Sequence, residues 1–220
     1  MTRIPSYRER GDAHQRSGRY WRSVAAYLAA LARREANRPY LTQQMGVSGV
    51  QTRFLLPVVP VLYAIAYAQA YSDDDRGNIR RDQARLLSKL GFRNRGERYI
   101  NESLALLAYS SNRTAYNVSM GYAGLIIADG GFLEEGYMKL AVADEALKAG
   151  PDRQLEFNVK LHLIDVLLRM LRASPSASYY LKLTDQALRE ADNLTRKGVG
   201  ATQQIDRLHG YHKTFDAIAK

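Results

Sequence analysis

Eight cations crowd one stretch of this chain: Arg76, Arg80, Arg81, Arg85, Lys89, Arg93, Arg95 and Arg98, with only Asp82 and Glu97 interrupting them. Arg81, Arg85 and Lys89 recur every four residues, so on a helix they form one stripe. A guanidinium makes bidentate contacts to carboxylate or phosphate. Arg80, Arg81 and Arg85 are therefore candidates to bind an acidic partner, and a nucleic-acid phosphate backbone is the alternative ligand. Asp73, Asp74 and Asp75 lie just upstream and offer compensating pairs to Arg80 and Arg81 across a turn. Because three aspartates this close also repel polyphosphate, internal pairing with a solvated face is the reading favoured for the cluster.

Tyr63, Tyr67 and Tyr71 form a second stripe at the same spacing, within residues 54–71, the most apolar segment and one without charge. Most such stripes are core. The chain uses 15 Tyr against 5 Phe, however, and a tyrosine's apolar body with its polar tip suits a recognition groove. These three are thus candidate partner-binding residues beside the arginines.

The histidines point to less. His209 and His212 stand three apart, with Asp206 a turn upstream, so both could face one metal. No third histidine is near and the chain has no cysteine, so neither a metal nor a cofactor is expected. His162 and Asp165, set among Leu161, Leu163, Ile164, Val166 and Leu167, read as a hydrogen-bonded pair at the edge of a core. No nucleophile elbow, Walker loop, dinucleotide fingerprint or zinc-protease signature occurs. Gly130-Gly131 follows a helix and reads as a helix stop. No catalytic residue is assigned, and the protein reads as non-enzymatic.

The elements that must position these residues are helical. Apolar spacing follows the helical period nearly everywhere, which predicts an all-α protein. At 220 residues and 46% hydrophobic, residues 1–220 can bury one core as a single domain or continuous stack. The lack of cysteine and of a secretory signal in residues 1–19, where Arg3, Arg8, Arg10 and Arg16 recur, predicts a cytoplasmic protein. The net charge of +10 is uneven: residues 1–110 hold 18 basic against 9 acidic side chains, and residues 111–220 hold 14 against 13.

Ser6 and Glu9 form a capping box for a first helix to about residue 15. Gly18 breaks it, and a second helix runs to about 34, before Asn37, Arg38 and Pro39. Residues 40–52, with Gly46, Ser48 and Gly49, read as a connection with room for a short helix. Pro57 and Pro60 start a buried central helix of about 11 residues, roughly 17 Å long and too short for a ~30 Å hydrocarbon core. Asn78 is the expected N-cap of the next helix, which puts Arg80 and Arg81 in its first turn. Further helices are expected over about 95–109, 112–128, 134–150, 153–172, 177–197 and 202–219, making nine or ten.

Tyr7-x2-Arg10-Gly11-x2-His14, followed by Ser23-x3-Tyr27 and Glu35, resembles the tetratricopeptide repeat. A fainter echo runs Ser119-x2-Tyr122-Ala123-x2-Ile126, then Gly130 and Phe132, with Ala146, Leu147 and Pro151 closing the unit four residues late, as one extra helical turn explains. The resemblance implies a divergent TPR-like, right-handed α-solenoid of about five antiparallel helix pairs. It implies a protein–protein interaction adaptor or chaperone, such as a cytoplasmic component of a bacterial secretion or pilus assembly. The alternative is a helical-repeat nucleic-acid binder using the Arg-rich first half. In that family the first helix of each pair lines the concave binding face. Its carboxylate clamp of Lys and Asn is not matched, so the resemblance implies some ligand other than a simple C-terminal tail.

Overall fold

Among the residues described by the computed structural model (5–35, 37–52, 55–175 and 177–219), eleven α-helices follow one another and no strand occurs. They are α1 Tyr7–Arg16, α2 Tyr20–Ala32, α3 Arg38–Val50, α4 Val59–Gln69, α5 Asp73–Lys89, α6 Arg93–Leu107, α7 Arg113–Asp129, α8 Leu133–Lys148, α9 Arg153–Ala173, α10 Ser178–Arg196 and α11 Thr202–Ile218. Consecutive helices pack in pairs, α1 on α2 through α9 on α10, and α11 remains without a following partner. Arg3 and Phe54 lie outside the described residues.

Local chemistry sets the helix ends. Ser6 Oγ accepts the Glu9 N–H at 3.2 Å while Glu9 accepts the Ser6 N–H at 2.7 Å, so the capping box forms as its sequence predicts. Gly18, Gly91 and Gly131 take φ of 72°, 83° and 91° after α1, α5 and α7. In each case the next residue's N–H reaches back five positions to a helix carbonyl: Arg19 to His14, Phe92 to Leu87 and Phe132 to Ile127. This is the Schellman ending, which needs a left-handed residue that glycine adopts without strain.

One packing rule repeats across the pairs. Five residues after each of those glycines, a small residue of the second helix meets the carbonyl of a small residue in the first. Ser23 Oγ donates to Gly11 O at 3.0 Å, and a Cβ on Gly96 would lie 3.1 Å from Ala84 O. A Cβ on Gly136 would lie 2.6 Å from Gly124 O. Four residues further on, a large side chain buries itself beside the first helix: Tyr27 on Gly11, Ile100 in the cluster of Ala84, and Leu140 on Gly124. Close axial approach thus requires the absent or short side chain, and the bulky neighbour fills the groove it leaves.

That register corrects the second echo of the repeat. Gly124, one residue after Ala123, occupies the small position, and the 124/136/140 spacing equals 11/23/27 with no inserted turn between them. The extra length lies at the helix ends, since α7 has 17 residues and α8 has 16 against 10 and 13 in α1 and α2.

Three further expectations change. Residues 40–52 are mostly helix α3, begun by Pro39 in its first turn. Gly46 and Gly49 look like breakers but are buried contact points, where an added Cβ would meet the Tyr63 ring at 2.7 Å and Val59 at 2.8 Å. Helix α5 starts at Asp73, capped by Ser72 Oγ on the Asp75 N–H at 3.1 Å, so Asn78, Arg80 and Arg81 are interior positions. Helix α4 buries Val59, Tyr63 and Ala66 but leaves Val61 55% and Ile65 42% exposed, so it is an outer helix with one apolar face open. No described helix is long and apolar enough to cross a membrane.

A buried charge network joins α8, α9 and α10. The fully buried Lys160 ammonium donates to Asp144 at 2.8 Å and Glu190 at 2.5 Å, and Lys148 reaches Glu190 at 3.0 Å. A buried ammonium is tolerable only when paired in this way.

Candidate functional site

First helices contact first helices directly: α3 on α5, α5 on α7, α7 on α9 and α9 on α11. Beyond their own pair, second helices pack mainly on the first helix of the next pair. The first helices therefore follow the shorter arc, and their free sides make the inner face of a curved stack. The curve is tight enough that the Tyr20 hydroxyl, at the start of α2, donates to Gln203 on α11 at 3.3 Å.

Arg85 on α5 lies on this face. Its guanidinium stands 5.3 Å from the Tyr122 ring centre on α7, and Tyr122 in turn packs at 5.5 Å against the imidazole of His162 on α9. Arg207 on α11 hydrogen-bonds Tyr211, whose hydroxyl donates to Asp165 on α9 at 3.1 Å. Removal from water, followed by the fields of Arg207, Arg85 and Lys89, pushes His162 down to about 3, so it is neutral at ordinary pH. Partial removal from water, then the charges of Arg85 and Arg207, push the Lys89 ammonium down to about 8. Three cations from two helices thus act on one imidazole.

The remaining predicted residues divide among different surroundings. Arg80 is inserted between the rings of Tyr67 at 4.0 Å and Tyr99 at 4.3 Å, and pairs with Glu102 at 2.8 Å. Arg81 donates to Asn78 at 2.7 Å and to Asp82 at 3.3 Å. Neither uses Asp73–Asp75 as the sequence had suggested: Asp73 pairs with Arg76 at 3.3 Å and Asp75 bonds Ser72 at 2.9 Å. The aspartates occupy the first turn of α5, where negative charge suits the helix dipole.

The tyrosine stripe also splits. Tyr63 is 1% exposed and seated on Gly46, Tyr67 is half-buried under Arg80, and Tyr71 lies past the end of α4, 78% exposed. Only Arg85 of the six predicted residues joins the inner cluster. Sequence reasoning did not assign a role to Arg207, Tyr211, Tyr122 or Tyr20. The spacing of Gln203, Arg207 and Tyr211 repeats the four-residue stripe of Arg81, Arg85 and Lys89, and was the signal for the first two.

The histidine pairs resolve differently from their spacing. His162 and Asp165 form no hydrogen bond with each other, because Asp165 accepts from Tyr211 and His162 packs on Tyr122. His212 bonds Asp192 on α10 at 3.1 Å. No group of three metal-binding side chains is present among the described residues. A broad depression of about 330 Å³ on α10 is lined by Asp185, Gln186, Arg189, Glu190 and Asn193. Its charges are already balanced, with Arg189 on Asp185 at 2.8 Å and Glu190 on the lysines.

The paired helices and curved inner face define an all-α helical-repeat protein of TPR-like fold. The chain is similar to the crystal structure of a Podospora anserina putative kinesin light chain with nearly identical TPR-like repeats: TM-score 0.59, 12% identity, over 87% of this chain and 95% of that one. No family model matches the sequence, and no curated protein matches it.

Proposed function

We propose that this protein is a non-enzymatic, cytoplasmic adaptor that holds an acidic segment of a partner protein against its inner face. The observation that carries this reading is the placement of Arg85 on the Tyr122 ring of α7 and of Arg207 on Tyr211 of α11, with neither guanidinium in a salt bridge among the described residues. TPR-like stacks present extended concave surfaces suited to extended chains. A cationic lining selects acidic ones and speeds their encounter.

The test is fluorescence anisotropy with a labelled glutamate-rich peptide and a neutral peptide of equal length. Saturable binding of the acidic peptide, weakened by salt and lost in Arg85→Glu, is the expected result. Equal binding of both peptides, or none of either, would overturn the reading. A single-stranded RNA that binds more tightly than the acidic peptide would restore the nucleic-acid alternative.

A further inference from the structure

The inner face carries a charge imbalance that its own carboxylates leave standing. Arg85 rests on the Tyr122 ring, Arg207 bonds Tyr211, and among the described residues neither they nor Lys89 form a salt bridge. The nearby acids are occupied elsewhere: Asp82 accepts from Gln43 at 2.7 Å and Arg81 at 3.3 Å, and Asp165 accepts from Tyr211. His162 Nδ1 is buried at the centre of the cluster and has no hydrogen-bond partner. The aspartates at 73–75 sit at the opposite end of α5, roughly 15 Å or more from Arg85 at ~1.5 Å per residue, and do not neutralise it.

We infer that Arg85, Lys89, Arg207 and His162 form a site for one compact multivalent anion, a phosphomonoester carried on the acidic protein segment. The inference rests on the reading proposed above and adds the group that segment bears. A carboxylate brings one charge and two oxygens. A phosphomonoester brings about −1.5 to −2 and three acceptor oxygens, which two guanidinium forks and an ammonium can share. Phosphates of a nucleic-acid backbone are single-charged and spread along a strand, whereas Arg85 and His162 share the Tyr122 ring and Arg207 reaches α9 through Tyr211 and Asp165. That geometry favours the monoester on protein.

Isothermal titration of the full chain tests this, first with inorganic phosphate and then with a glutamate-rich peptide carrying one phosphoserine and the same peptide with serine. Phosphate should bind saturably and compete with the phosphopeptide, and phosphorylation should tighten peptide binding about tenfold or more. Lys89→Gln and Arg207→Gln, both at exposed positions, should each remove most of that gain with an unchanged thermal melt. They serve where Arg85→Gln disturbs folding. Equal affinity for the two peptides would overturn the phosphate site and leave the acidic-segment reading intact. Failure of both peptides overturns both. Tightening that survives Lys89→Gln combined with Arg207→Gln puts the phosphate elsewhere, and tighter binding of an RNA oligonucleotide than of the phosphopeptide overturns the protein segment.

Discussion

The Tyr20 hydroxyl donates to Gln203 Oε1 at 3.3 Å, although 183 residues separate them. The contact joins the start of α2 to α11, and a Cβ on Gly18 would lie 3.7 Å from the same Gln203 amide. The start of α2 and α11 therefore touch. A solvent-exposed hydrogen bond contributes only about 0.5–1 kcal/mol. Tyr20→Phe should leave the melting temperature within a few degrees while accelerating hydrogen exchange in α11. An unchanged exchange rate would show that the contact does not hold the ends together.

The small-residue positions make a stability contrast that denaturant unfolding can read. Gly136→Ala would put a Cβ 2.6 Å from both Gly124 O and Ala128 Cβ, with backbone on one side that cannot rotate away. The expected cost is about 1–3 kcal/mol or more. Gly210, inside α11, has nothing within 4 Å of its Cβ position, and Gly210→Ala should stabilise by about 0.5–1 kcal/mol. Equal effects at both sites would refute the close-approach rule.

Acid should act through His162. Its folded-state value of about 3 lies below the ordinary 6.5, so the unfolded chain binds a proton across that interval and the folded one does not. Stability from this group is complete above pH 6.5 and declines as pH falls toward 3. The groups around the ring are Arg85 and Lys89 from α5, Tyr122 from α7, Asp165 from α9 and Arg207 from α11. His162→Gln should flatten the slope of unfolding free energy over this window relative to the unmodified protein; an identical slope would remove the imidazole from the account.

The Lys160 network gives a prediction of opposite design. Asp144→Ala leaves the buried ammonium with Glu190 alone and should cost about 3–5 kcal/mol, while Lys160→Met with Asp144→Leu should recover much of it. Urea titration of the three proteins distinguishes pairing from packing. If the double variant is the least stable, the charges themselves hold α8, α9 and α10 together.

Lys89 adds a pH dependence of the same sign in the alkaline range. Held near 8 against an ordinary 10.5, it is neutral in the folded protein from about pH 8 upward, while the unfolded chain still binds the proton. Its contribution to stability therefore rises between about pH 8 and 10.5. Capture of an acidic peptide should weaken across pH 8 as the cation is lost, and Lys89→Arg should abolish that weakening.

Helix caps and stops were legible because they are local. Ser6 with Glu9, and glycine at 18 and 131, act through backbone groups a few residues away. Gly46 and Gly49 misled for the opposite reason, since their smallness serves Tyr63 and Val59 on another helix and overrides their weak helix propensity. The arginine cluster was visible as charge, but its division into Arg80 between two rings, Arg81 on Asn78 and Arg85 on the inner face was not. Side chains one position apart on a helix point about 100° away from each other, so neighbours in sequence enter different surroundings.

The sequence by itself determined an all-helical chain with paired elements, because hydrophobic period, capping and glycine conformation act over a turn or two. Only the tertiary structure decided that α5, α7, α9 and α11 bring Arg85, Tyr122, His162 and Arg207 to one face, and that Tyr20 meets Gln203. The physical reason is curvature. It accumulates from small rotations between successive pairs, so which distant side chains meet depends on the sum over the whole stack and on no single segment.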